Sequence, residues 1–381
     1  MAGSTVKEIN GLESFNYTFP AVRGIQGGRE YYICMCPLKL VPRLFLYNES
    51  ELPSEMRAQR TLNRARIPEI TNYIVNNPRD YVFSSITASI IDVDAKFIPL
   101  GTDSKEGKVG MLLIPLTARF IINDGQHRRA AIEEALKVKP ELGNETISVV
   151  LYIDTRLKRS QQIFSDLNRH AIRPTRSIGI LYDHRDPFAQ MTLNLTQTVP
   201  IFNGLTDLEK TSVSNRSTKL FTLSSIYQAT EELLGKKTKV KTVTKEDETI
   251  AREYWSEVTK HIPEWEQVIR HETKSSDLRN NYIHSHGVAL HALGILGFNL
   301  INTYPTTWRE ELAHLQEIDW SRSNEALWEG RALLNGRVSK AQLQLSLTVI
   351  LLKGFFGLPL SPQEEKNEER YQRQWNGGIF D

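Results

Sequence analysis

The chain has 381 residues, 40% of them hydrophobic, which allows one large or two ordinary domain cores and excludes wholesale disorder. Its formal net charge of +2 permits nucleic-acid binding without demanding it, so any basic surface has to come from local clustering. The longest apolar stretch, residues 287–301, contains His291 and three glycines and is too short to span a bilayer, and residues 1–10 lack the basic-then-apolar build of a signal peptide; these features predict a cytoplasmic protein with no membrane partner.

Residues 31–36 read as a strand. Cys34 and Cys36, the chain's two cysteines, share a face there but sit too far apart for a disulfide, so buried reduced thiols are expected. Residues 42–52 read as a loop or short helix. Residues 57–76 look helical, with Ile67, Ile70, Tyr73 and Ile74 at spacings of three and four. Pro68 suits the first turn of a second helix, which places a break near Arg66. Strands are predicted at 84–92, 109–115, 119–122 and 146–153, and helices at 129–137 and 160–168. This order makes an α+β domain over residues 1–185.

Beyond Arg185 the strand signals fade. Residues 188–195, 222–234, 249–261, 281–302 and 339–353 read as helices, predicting a mainly α-helical domain over 186–381. The last of these opens with Ser339-Lys340-Ala341-Gln342, a capping box. Residues 235–246, rich in lysine and threonine, read as an exposed loop.

The pattern that points to chemistry is Asp124-Gly125-Gln126-His127-Arg128, set between an apolar strand and an alanine-rich helix. A glycine turn there aims backbone N–H groups at a helix N-terminus, where an anion is favoured. Arg128 and Arg129 in the first helical turn add charge and a planar donor fork. His127 and Arg128 are placed to donate to phosphate oxygens, and Gly125 allows close approach. Asp124 either caps the helix or, in a nucleotide site, orients Mg²⁺ or a water. Arg60 and Arg64 are four residues apart and share a helix face that can bind phosphate or simply be solvated.

The richest basic cluster is Arg156, Lys158, Arg159, Arg169, His170, Arg173, Arg176, His184 and Arg185. Contact with a DNA backbone is its expected role, each neutralised phosphate adding salt-dependent affinity. Lys236, Lys237, Lys239, Lys241 and Lys245 form a second patch, suited to phosphate contact or to solubility alone. His284 and His286 are two apart and do not share a helix face, and His291 lies in an apolar helix, so no metal site is expected. The sequence contains no P-loop, no zinc-finger spacing and no convincing helix-turn-helix, although residues 212–232 and 339–353 are candidates for reading DNA.

The pentapeptide is also a signature. With Gln59-Arg60-Thr61-Leu62-Asn63-Arg64-Ala65-Arg66-Ile67, Ile163-Phe164-Ser165-Asp166-Leu167-Asn168-Arg169 and Ser217-Thr218-Lys219-Leu220-Phe221-Thr222-Leu223, it makes the chain resemble the DGQHR-domain proteins, most closely the DndB family of bacterial DNA phosphorothioation systems. The resemblance implies a ParB/sulfiredoxin-like mixed sheet with helices, followed by the helical half. In such folds the equivalent turn holds a nucleotide or phosphate, and an asparagine–arginine pair, here Asn168 and Arg169, completes the pocket, although the sequence around that pair departs from the ParB pattern. Sulfiredoxin-like relatives carry a cysteine before the His-Arg pair. Gln126 stands there and is no nucleophile, so sulfiredoxin chemistry is not expected.

The implied function is a repressor of a phosphorothioation gene cluster, acting as a homo-oligomer on double-stranded DNA in the promoter of that cluster. Two alternatives stay open. One is a ParB-like enzyme, an NTP hydrolase or phosphotransferase using nucleotide with Mg²⁺ and Asp124. The other is a helical scaffold for partner proteins.

Overall fold

The computed structural model describes residues 15–45, 63–91, 95–100, 107–153, 157–169, 174–236 and 242–376. The chain divides into two units, Met1–Ile172 and Arg173–Asp381.

The first unit is built on strands several of which bury alternate residues. β1 (Asn16–Gln26) and β2 (Arg29–Pro37) form a hairpin turned by Gly27 and Gly28, with φ of 59° and 71°. Two successive left-handed residues match the twist of the paired strands, and glycine adopts that conformation without a side-chain penalty. On β2, Tyr32, Cys34 and Cys36 enter the core while Ile33 and Met35 remain exposed. Both cysteines are free, and burial pushes each thiol up to about 12.

β3 (Ile86–Ile91), β4 (Lys96–Pro99), β5 (Val109–Pro115), β6 (Arg119–Asp124) and β7 (Thr146–Ile153) complete a seven-stranded sheet in the order β4-β5-β1-β2-β7-β3-β6. Neighbours are antiparallel except β3 and β7, which run parallel, so the sheet is mixed. α1 (Val41–Leu44), α2 (Ile67–Asn76) and α3 (Gln126–Val138) supply the helical side of the core, with Ile74, Ala131, Ile132 and Ala135 set against Ile86, Ile90 and Val149. Full burial of an aliphatic side chain of this kind stabilises by roughly 1.5–3 kcal/mol.

α4 (Leu157–Arg169) is fastened to the β3–β6 edge through polar groups. Alternation turns Ser89 and Asn123 away from the apolar core, yet both are fully buried. Asn123 Nδ2 donates to the carbonyl (2.7 Å) and Oγ (2.9 Å) of Ser160 on α4, and its Oδ1 accepts from Ser89 Oγ at 2.9 Å. Each buried polar atom in this set is thereby matched.

The second unit is helical. Its helices include α5 (Arg176–Tyr182), α6 (Pro187–Thr198), α7 (Leu223–Leu233), α8 (Lys245–Lys260), α9 (Gly287–Thr303), α10 (Gln342–Phe355) and α11 (Pro362–Asn376). α9 is apolar on nearly every side because α7 and α10 both pack on it. Trp255, Trp265 and Trp328 are fully buried in the same core. The three histidines take separate partners. His284 accepts from Trp265 Nε1 at 2.9 Å and has Glu264 at 3.3 Å; His286 donates to the Arg279 carbonyl at 2.9 Å; His291 Nε2 lies 3.2 Å from Glu232.

Several boundaries differ from the sequence expectations, each for a local reason. The helix predicted over 57–76 begins at Ile67, after a 3₁₀ turn Arg64–Arg66 capped by Asn63, and residues 57–62 lie outside the described residues. α8 starts at Lys245 rather than Thr249, because Thr244 and Asp247 form a reciprocal cap. α9 starts at Gly287 rather than Asn281; Ser285 Oγ bonds the carbonyls of Leu278 and Tyr282 and holds a 3₁₀ turn before it. The capping box at Ser339 does not form. The Ser339 N–H donates to Ala332 at the end of the Leu333–Leu334/Arg337–Val338 ribbon, and α10 begins at Gln342 without a side-chain cap.

Candidate functional site

β6 ends at Asp124 and α3 begins at Gln126, so the whole reversal rests on Gly125, whose φ is 106°. An added Cβ would be strained there and would lie 3.0 Å from Ile86 Cγ1. Gly125 also has no side chain to cap α3. The first-turn N–H groups of Gln126, His127 and Arg128 have no intrahelical acceptor and form an anion-attracting end.

The side chains around this end divide into those that build it and those that face outward. Arg128 builds it. Its guanidinium bonds Ser84 Oγ, the Ser85 carbonyl (3.1 Å) and Asp124 Oδ2 (2.8 Å), tying the entry of β3 to the turn. Its Nε is buried without a partner. Arg129 is also structural: Nε donates to the Phe45 carbonyl (2.9 Å), Nη2 to the Pro42 carbonyl (3.0 Å), and Nη1 pairs with Glu133. Both forks, which the sequence offered as donors to phosphate, make these contacts within the fold.

His127 Nε2 accepts from the backbone N–H of Asn63 at 3.2 Å. Burial pulls its pKa down, Arg66 and Arg128 add to that, and Asp124 opposes it. The ring is accordingly neutral at pH 7, with its proton on Nδ1. This contact brings the Arg64–Arg66 turn to the mouth of α3. Arg64 and Arg66 are both exposed, and Arg66 is near enough to act on His127 electrostatically. The outward-facing charge at the turn thus comes from this neighbouring segment. Gln126 lies at the helix start, its amide 3.5 Å from the Ile122 carbonyl.

The Asp124 side chain is half exposed, with Oδ2 on Arg128. Among the described residues no group of three His, Cys, Asp or Glu side chains is placed to hold a metal, so Mg²⁺ there would have to be held chiefly by a bound phosphate. The open N–H groups and the arginine turn fit a phosphate group.

The remaining candidates are scattered. Asn168 and Arg169 end α4, and their side chains lie outside the described residues, as do Arg60, Arg156, Arg173, Lys237, Lys239 and the side chain of Lys158. Arg159 lies in the first turn of α4, close enough to Tyr152 to act on it. Arg176 opens α5 in the second unit, 3.9 Å from Glu231 and with its guanidinium 5.8 Å from the centre of the Tyr227 ring. The cluster that is continuous in sequence is therefore divided between the two units. Lys236 is engaged by Asp247 (2.9 Å) and the Thr242 carbonyl (2.8 Å), which closes its loop.

Sequence reasoning passed over Asn123, Ser84 and Ser85. A buried asparagine in Phe120-Ile121-Ile122-Asn123 was the available signal, since an apolar strand carries such a residue only with partners.

Together these features define an α+β protein with a helix N-terminus that lacks a side-chain cap and lies beside exposed arginines. A family model for DndB, described as DNA-sulfur modification-associated, matches residues 19–359. The chain belongs to the DndB family, which is associated with DNA sulfur modification. No curated protein and no solved structure matches it.

Proposed function

We propose that the protein is a DNA-binding transcriptional regulator, a repressor, of a bacterial DNA phosphorothioation gene cluster, and that the Asp124–Arg128 turn binds a phosphate group as part of that role. The observation that carries the reading is the open first turn of α3 beside Arg64 and Arg66, in a chain whose family is associated with DNA sulfur modification. The partner is double-stranded DNA of the cluster's own promoter. A homo-oligomer in the cytoplasm reading two half-sites accounts for sequence-specific repression. Among the described residues no helix is long and apolar enough to cross a membrane.

The test is a titration of the full chain with promoter and scrambled duplexes, with and without ATP and Mg²⁺, across salt. Preference for the promoter and a steep salt dependence support the reading. Arg156→Ala with Arg159→Ala is expected to weaken binding to every sequence and to flatten the salt slope. Equal weak binding to both duplexes, together with steady ATP hydrolysis, replaces it with a nucleotide-hydrolysing enzyme. The half-exposed Asp124 carboxylate beside the anion site is the feature that favours this second reading.

A further inference from the structure

Buried cations in this protein are generally matched by carboxylates. Arg331 pairs with Glu368 at 2.6 Å, Lys353 with Glu364 at 2.8 Å, and Arg129 with Glu133. One group in the second unit breaks the pattern. Arg279 is 7% exposed, and it spends its guanidinium on neutral carbonyls: Leu220 (2.8 Å), Ser285 (3.0 Å) and Val213 (2.8 Å). Its Nε is buried with no partner. Arg322 follows the same course, donating to the carbonyls of Asn280 (3.2 Å) and Gly336 (3.0 Å).

Lys340 joins them. A Cβ built on Gly287 would lie 3.3 Å from Lys340 Nζ, which places the ammonium at the first residue of α9. The same position is 3.5 Å from Ser225 Cβ, in the first turn of α7, so the N-termini of two helices of 17 and 11 residues meet there. Burial and the charge of Arg279 pull the Lys340 pKa below its ordinary value. His286, the residue before α9, is held neutral by burial and by Arg279, at about 3. Lys340 is exposed as a whole residue, while its ammonium end is partly withdrawn from water against α9.

Three cations beside the start of α9, which has no side-chain cap, and no carboxylate partner among the described residues form an arrangement with an unfavourable self-energy; the start of α7 is already capped by Thr222 and Ser177. A buried charge without a counter-ion is costly, and an anion bound there removes that cost. We propose that the second unit carries a phosphate-binding site at the start of α9, in which Lys340 contacts the ligand, the first-turn N–H groups of α9 help to hold it, and Arg279 and Arg322 supply the field. The ligand is a tetrahedral phosphate group, either free or within a nucleic-acid backbone. The site is separate in residues from the Asp124–Arg128 turn and stands without it.

The test uses the full chain with inorganic phosphate in one arm and a short DNA duplex in the other. Lys340→Gln removes the charge and leaves the apolar core untouched. It is expected to weaken one of the two ligands about tenfold, the scale of a lost charge-assisted hydrogen bond. Loss in the phosphate arm alone identifies a free phosphate-bearing small molecule. Loss in the duplex arm, with a shallower salt slope, identifies the nucleic-acid backbone. Arg66→Ala serves as the control for the other site and is expected to leave the Lys340-dependent component intact. If a folded Lys340→Gln chain binds phosphate and duplex as the unaltered chain does, or if the unaltered chain binds neither, the proposal is overturned.

Discussion

The backbone N–H of Asn63 donates to Nε2 of His127 across 3.2 Å, joining a segment sixty-four residues earlier in the chain to the mouth of α3. The bond requires an unprotonated Nε2. Burial, together with Arg66 and Arg128, holds the ring below the ordinary histidine value of about 6.5. The folded state therefore binds its proton less readily than the unfolded chain. The stabilisation is present above about pH 6.5 and is lost as pH falls from there through the folded pKa. An NMR titration of the His127 ring is expected to give a midpoint below 6.5, with Asn63 and Arg66 amide shifts following the same curve. A midpoint above 6.5 would show that the Arg64–Arg66 turn does not dock as described.

Arg128 and Arg66 are expected to separate stability from binding. Arg128 bonds Ser84, Ser85 and Asp124, so Arg128→Ala leaves those groups without their donor and should lower stability by about 2 kcal/mol. Arg128→Lys should rescue little, because an ammonium cannot span three acceptors in a plane. Arg66→Ala should leave the melting curve unchanged and weaken binding of ATP or phosphate about tenfold. Thermal denaturation beside calorimetric titration checks both. A stable Arg128→Ala chain that binds no phosphate would return Arg128 to direct ligand contact.

The elements readable from sequence were those whose pattern is local. Short apolar runs marked β2, β5 and β7, and the glycine turn marked the junction of β6 with α3. β1 was missed because Val22 and Ile25, on its later half, are exposed and break the alternation by which Tyr17, Phe19 and Ala21 face the core. The Gly27-Gly28 pair was the overlooked hairpin signal. Sheet order was not readable at all: β7 inserts between β2 and β3, and nothing in its own residues specifies two different neighbours. At the site, the sequence marked the turn but not the direction of its side chains. Arg128 reaches Ser84, forty-four residues away, and that contact exists only once β3 lies beside β6.

Asn123 is expected to be a keystone of the first unit. Its side chain makes all its bonds to Ser89 and Ser160, and both serines are fully buried. Asn123→Ala takes the partner from two buried hydroxyls, Ser89 and Ser160, at a cost of about 2–4 kcal/mol. The loss should be local first. Hydrogen exchange is expected to quicken in α4 at denaturant levels where β2 and β7 remain protected. Uniform loss across the sheet would mean that α4 and the sheet unfold as one.

The last helix is held largely by charge. α11 is anchored through Tyr371, which packs with Leu347 and Ile350 of α10 in a small cluster apart from the main core, and through two ion pairs whose cations are 7% exposed. Arg331 also donates to the Leu347 carbonyl at 2.9 Å and lies 4.2 Å from the centre of the Tyr371 ring. Burial pushes Glu364 and Glu368 up, but their bonds to Lys353 and Arg331 outweigh it, and both carboxyls end below the ordinary value. A depressed carboxylate contributes stability above its unfolded pKa of about 4.3 and loses it as pH falls through the folded value. α11 should therefore detach in acid before the tryptophan core melts. Glu368→Gln should mimic this at pH 7 by leaving Arg331 buried without its partner, at a cost of about 3 kcal/mol. Limited proteolysis reads the result: cleavage within 362–376 is expected to rise sharply in Glu368→Gln and below pH 4. Equal resistance in the variant and the unaltered chain would mean that the Tyr371 contact alone anchors the helix.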